Sequence, residues 1–179
     1  MNIEIIDNFL PSYYNDSYMK TFSGVEGNTY SWYFIDDLNC HPNNYFSIGK
    51  KYKGNYYFSN CCYDVARGIE YPNQYPLYEP LLNKLGITMS NVKRIKTNLY
   101  PWKGRRIHHQ THTDYEPNLG LRTCLYYVND SDRVTVFDGK ERIKCKNNRA
   151  IIFDGSIPHH STTPTNVNYG CSINIDYRL

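Results

Sequence analysis

Between Asn91 and Tyr177 apolar and polar residues alternate in short runs, the two-residue rhythm of half-buried strands. The runs are Asn91 to Tyr100, Ile107 to Tyr115, Leu121 to Val128, Arg133 to Phe137, Glu141 to Cys145, Ala150 to Asp154 and Tyr169 to Tyr177. Turn-forming pairs separate them: Pro117-Asn118, Asn129-Asp130, Asp138-Gly139, Asn147-Asn148 and Asp154-Gly155. Asp138-Gly139 between two alternating runs is a strong hairpin signal. Such a series of short strands argues for a β-sandwich or jelly roll.

The first half has a different rhythm. Met1 to Asp7 alternates well enough for an opening strand, and Pro11 stands where a first helical turn tolerates it, so a short helix is expected through Tyr18 and Met19. Gly24 to Lys50 reads as loop, with Ser31 to Ile35 its best strand candidate. Tyr56 to Phe58 predicts another short strand, followed by a helical stretch around Tyr63 to Ile69. Leu77 to Leu85 carries apolar residues at helical spacing and ends at Gly86, a C-cap position. The expected class is mainly β with flanking helices. At 179 residues one domain is expected, its 1–87 part packing on a core formed by 88–179.

Composition adjusts this picture modestly. Tyrosine is over-represented at 19 residues, and its rings suit sheets and wet pockets. The formal charge of +3 comes from scattered rather than massed basic residues, which weighs against a nucleic-acid partner. The N-terminus lacks a basic region followed by an apolar core, and no run is apolar for long enough to span a bilayer. A soluble, cytoplasmic protein without membrane attachment is the expectation. Six cysteines make no C-x-x-C pair and read as reduced, packed thiols, with Cys61-Cys62 the one adjacent pair that a redox or metal site could use.

The candidate chemistry lies in His108 to Asp114, His-His-Gln-Thr-His-Thr-Asp. In extended chain His112 and Asp114 share a face and can offer an imidazole and a carboxylate to one ion. A third ligand is available from His159-His160, which follows the apolar run Ala150 to Phe153 and a turn. Neighbours in a strand face opposite ways, so only one of that pair should ligate. Two histidines and a carboxylate form the facial triad of non-haem Fe(II) sites. His108 and His109 read as surface residues or as partners behind the ligands.

His112-x-Asp114, then Leu121 to Asp130, then Asn148 to His159, closely resembles the 2-oxoglutarate- and Fe(II)-dependent oxygenases, in particular compact prolyl-4-hydroxylase-like forms including those carried by phages. The likeness covers Lys93 to Tyr177, and the opening Ile-Glu-Ile-Ile-Asp-Asn-Phe-Leu-Pro more loosely. It implies a double-stranded β-helix (a cupin-like jelly roll), with His112, Asp114 and His159 as iron ligands and 2-oxoglutarate as co-substrate. Ascorbate is compatible as an accessory reductant, and a phage-encoded copy would act in the host cytoplasm. Asn98 and Tyr100 match the Asn-x-Tyr that touches 2-oxoglutarate in relatives, and Ser172 matches the serine of the last core strand.

One departure stands out. Relatives place Arg or Lys two residues before that serine to meet the distal carboxylate of the co-substrate, and here the residue is Gly170. Arg122 is the first candidate to replace it, whereas Arg178 lies eight residues from Gly170, roughly 26 Å at strand rise. The resemblance favours a peptidyl substrate, proline first. Tyr30 to Phe46 and Tyr115 to Gly120 are the candidate substrate-covering loops. Gly170 also motivates a rival reading, a metal-binding jelly-roll module without turnover, and an oxygenase acting on a nucleobase or small molecule is a third.

Overall fold

The structure, a computed structural model, describes residues 2–24, 30–36 and 56–179. In chain order it contains β1 (Ile3–Asp7), α1 (Ser12–Ser23), β2 (Tyr33–Ile35), β3 (Tyr57–Asp64), β4 (Ile69–Glu70) and α2 (Tyr75–Leu85). The strand-rich half follows with β5 (Val92–Pro101), β6 (Arg122–Tyr127), β7 (Val134–Phe137), β8 (Glu141–Lys144), β9 (Arg149–Asp154), β10 (His159–Ser161) and β11 (Tyr169–Tyr177). Cys40 and positions 37–46 of the first candidate covering loop lie outside the described residues.

Eight strands form one sheet in the order β1-β9-β6-β11-β5-β3-β2, with β4 beside β3, and β10-β7-β8 form a second. All the pairings are antiparallel. This is the mainly β jelly roll with flanking helices that the alternation predicts.

Alternation decides what each face of the large sheet meets. On β6 and β9, Cys124, Tyr126, Ala150 and Ile152 turn toward α1 and α2, joining Tyr18, Phe22, Tyr78 and Leu81 in one buried cluster. The intervening Leu125, Tyr127, Ile151 and Phe153 pack against Phe137 and Ile143 of the second sheet. On β5 and β11 the helix-side positions are again apolar, including Ile95, Ile173 and Ile175. Their inner positions are polar, as Asn98, Ser172 and Asn174 show. The space between the sheets is therefore apolar core at the β6–β9 side and a polar cavity at the β5–β11 side. Two buried tyrosines of β6 reach partners through their hydroxyls: Tyr127 bonds Thr135 at 2.6 Å and Tyr126 donates to Asn15 at 2.6 Å.

Local chemistry sets the helix ends. Gly86, at φ 68°, closes α2, its N–H reaching the carbonyls of Asn83 and Leu82. No residue of α1 caps its own N-terminus; Asn148 brackets the entry instead, accepting from Leu10 N at 2.9 Å and donating to Leu10 O at 2.7 Å. Among the described residues no helix is long and apolar enough to cross a membrane.

Two local expectations are corrected. The helical stretch around Tyr63 to Ile69 is a continuation of β3 followed by a single 3-10 turn at Val65–Arg67. Pairing with β5 and bonds such as Ser59 Oγ to Thr97 O at 3.1 Å override the weak strand propensity of Ser59-Asn60. The expected strand over Ile107 to Tyr115 survives only as isolated bridges, His108 to Thr162 and His112 to His159, along the edge of β10.

Candidate active site

The bridge between His112 and His159 builds the site. His112 N donates to His159 O at 3.0 Å and His159 N to His112 O at 2.9 Å, which fixes both backbones on one edge. Asp114 N and Tyr115 N both donate to Gly155 O, at 2.9 and 3.1 Å, turning Asp114 back toward the pair. The metal-binding atoms of His112, Asp114 and His159 then lie within 4.8 Å of one another. His159 Nε2 is 3.5 Å from Asp114 Oδ2.

Both imidazoles are oriented by carbonyls. His112 Nδ1 is 3.2 Å from Gln110 O and His159 Nδ1 is 2.9 Å from Ile157 O. A carbonyl can only accept, so each Nδ1 carries the proton and each Nε2 presents a lone pair. Burial, with the neighbouring His159 charge, pushes the His112 pKa down to about 4, so this ring is neutral at neutral pH.

Asp114 is held in the complementary state. Its side chain is only 4 % exposed, and burial alone would protonate it, but Arg94 and the imidazoles outweigh burial and hold the carboxyl well below the usual range. Arg94 Nη2 donates to Asp114 Oδ1 at 2.6 Å, and Thr123 Oγ1 donates to Oδ2 at 3.1 Å. Behind them Asp176, fully buried, sits 2.6 Å from Arg94 Nε in an ion pair whose N–H does not point at the oxygen. Thr123 Oγ1 also lies 2.8 Å from Asp176 Oδ1, so its single proton is shared between the two carboxylates. A neutral His112, a His159 oriented by the Ile157 carbonyl and an ionised carboxylate beside an open cavity fit a divalent transition-metal ion.

Asn98, Tyr100 and Ser172, the expected co-substrate contacts, all line that cavity. Ser172 pairs with Asn98 in register, and Asn98 accepts from Ser59 Oγ at 3.0 Å and donates to Asn174 at 3.2 Å. Arg94, Lys96 and Arg133 add three cations to the lining, against Asp114 as its one carboxylate among the described residues. A wall of that charge suits an anionic ligand.

Arg122 is not part of it. It shares a strand face with Cys124 and Tyr126, the helix side, so its guanidinium points to the surface, 36 % exposed and 3.7 Å from Glu4. Thr123, one residue on, takes the inward position. His160 also faces away, its Nε2 3.0 Å from His108 Nδ1. His109 is buried, with its ring stacked 5.1 Å from that of Tyr100 and Nδ1 2.8 Å from Ser161 Oγ. Of the second candidate loop, Tyr115 reaches inward to Asp176 at 3.3 Å, while 116–120 are exposed.

Sequence reasoning missed Arg94 and Lys96, although they fall four and two residues before Asn98 on the same strand face. That parity was a usable signal. It also missed Arg133, although alternation along Arg133 to Phe137 puts it on the same face as Thr135, which lines the cavity.

No protein-family model matches the chain, and no curated protein matches it by sequence. Solved structures do match. A prolyl hydroxylase from Trichoplax adhaerens, in complex with a hypoxia inducible factor oxygen degradation domain peptide fragment, aligns at TM-score 0.53 and 16% identity over 98% of this chain and 83% of that one. A Pseudomonas putida prolyl-4-hydroxylase aligns at 0.53 and 12% over 99% and 92%. The non-heme alpha ketoglutarate dependent epimerase SnoN from nogalamycin biosynthesis aligns at 0.57 and 10% over 99% and 80%. The chain thus has the double-stranded β-helix fold of the 2-oxoglutarate- and Fe(II)-dependent oxygenases.

Proposed function

We propose that the chain is an Fe(II)- and 2-oxoglutarate-dependent oxygenase that hydroxylates a C–H bond of its substrate, with His112, Asp114 and His159 as the iron ligands. The observation that carries this reading is the convergence of their ligand atoms within 4.8 Å, with both Nδ1 protons directed to carbonyls. When bound, iron and 2-oxoglutarate couple decarboxylation of the oxo acid to succinate and CO2 with transfer of one dioxygen atom to the substrate and the other to succinate.

The protein's part is preparation. Gln110 O and Ile157 O hold the imidazoles in the ligating tautomer. Arg94 and Thr123 hold Asp114 ionised and in place. Asn98, Tyr100 and Ser172 offer an amide and two hydroxyls along the wall to the co-substrate. A peptidyl residue, proline first, is the favoured substrate, supported by the prolyl hydroxylases among the structural neighbours and by the peptide bound to one of them.

Anaerobic Fe(II) titration should saturate at one ion per chain, and Asp114→Ala should abolish it; unchanged binding in that variant would sink the assignment. With Fe(II), ascorbate and 2-oxoglutarate, succinate should form above a metal-free control. Metal binding without succinate or 2-oxoglutarate binding would favour a binding module instead.

A further inference from the structure

Arg133 is 2 % exposed, and the only hydrogen bond from its side chain to the described residues is Nε to Thr162 O at 2.9 Å. No carboxylate of the described residues lies within ion-pair distance of it. Its guanidinium lies 4.0 Å from the centroid of the Tyr100 ring and lines the cavity together with Ser172. A guanidinium removed from bulk water and facing a cavity without a counter-ion is costly unless an anion completes it.

Gly170 stands directly opposite Tyr100 in the β11–β5 register. A Cβ at that position would lie 2.3 Å from Arg133 Cδ and 2.7 Å from Nη1, closer than real atoms approach. The volume that a side chain at 170 would occupy is already filled, from the opposite sheet, by Arg133. We infer that Arg133 is the cation that meets the distal carboxylate of a 2-oxo diacid, and that residue 170 is glycine because Arg133 needs its space. This rests on the proposed function and assigns within it the anchor that position 170 lacks. A planar fork over the Tyr100 ring can meet a carboxylate with two parallel bonds, which a monoacid cannot use.

The test compares 2-oxoglutarate with pyruvate, which has the same oxo acid end and no distal carboxylate, by anaerobic calorimetry on Mn(II)-loaded protein. Wild type should prefer 2-oxoglutarate. Arg133→Gln should weaken 2-oxoglutarate by about 10- to 100-fold, the range for a lost bond to a charged group, while Mn(II) and pyruvate affinities hold. Gly170→Ala, which keeps the arginine but displaces it, should lose the same preference. The exchange Arg133→Gly with Gly170→Arg should restore it from the other sheet. Should Arg133→Gln fail to fold, Gly170→Ala and the exchange variant decide the matter. Preference retained in Arg133→Gln or Gly170→Ala overturns the inference and leaves the function standing, and so does an equal loss of Mn(II) and pyruvate binding, which marks a structural role. Wild type that binds Mn(II) but not 2-oxoglutarate overturns the function itself.

Discussion

Replacing Arg94 by methionine removes the one cation between two buried carboxylates. Asp114 lies 2.6 Å from its Nη2 and Asp176 2.6 Å from its Nε, with side-chain exposures of 4 % and 0 %. Breaking a buried pair by deleting one partner costs about 3–5 kcal/mol, because the remaining charge is left without compensation. For a domain of this size that is roughly 6–20 °C in Tm. The loss should depend on pH in a definite direction. Burial already pushes Asp176 up to about 6 against the pull of Arg94. Without that pull both carboxyls rise, and the native state holds protons that the unfolded chain, titrating near 3.9, has released. Stability of the variant then falls as pH rises through this window. Urea unfolding of the metal-free protein should show a larger gap between variant and wild type at pH 8 than at pH 5. Arg94→Lys, a point charge that cannot fork, should fall between the two. A loss under about 1 kcal/mol, or a gap equal at both pH values, would refute the account of Arg94 as the cation that keeps Asp114 ready for metal.

Acid should destabilise the metal-free protein through His112 as well. Its pKa is about 4 in the fold against about 6.5 unfolded, so the unfolded chain gains protons first and stability drops as pH falls from 6.5 toward 4, by about 3 kcal/mol at most. Urea midpoints between pH 5 and 7 should therefore vary less in His112→Asn, and equal slopes would refute the assignment. Asn148→Ala removes both bonds to Leu10 and the longer, 3.0 Å contact that Tyr126 makes beside its bond to Asn15, and should cost about 2–4 kcal/mol in thermal unfolding without altering Mn(II) affinity.

How much of this was legible follows from what each strand buries. The strands β5 and β11 face an apolar helix layer on one side and a wet cavity on the other, so their alternation survives in the sequence and assigns Asn98, Tyr100 and Ser172 to a single wall. The proposed metal ligands were legible for a different reason: the His112-x-Asp114 spacing puts two of them together, and the His112–His159 bridge brings in the third. β6 is buried on both faces, and Arg122 to Tyr127 therefore carries no alternation from which to see that Arg122 turns outward. The replacement cation was expected at Arg122, on the strand just after His112-x-Asp114, whereas the volume beside Gly170 is filled from across the cavity. Gly170 was read as something lost. A glycine inside a strand more often records a close approach by another group, and here that group is Arg133 Cδ. The sequence carried the signal at position 170, and only the packing of the two sheets identifies the residue that answers it.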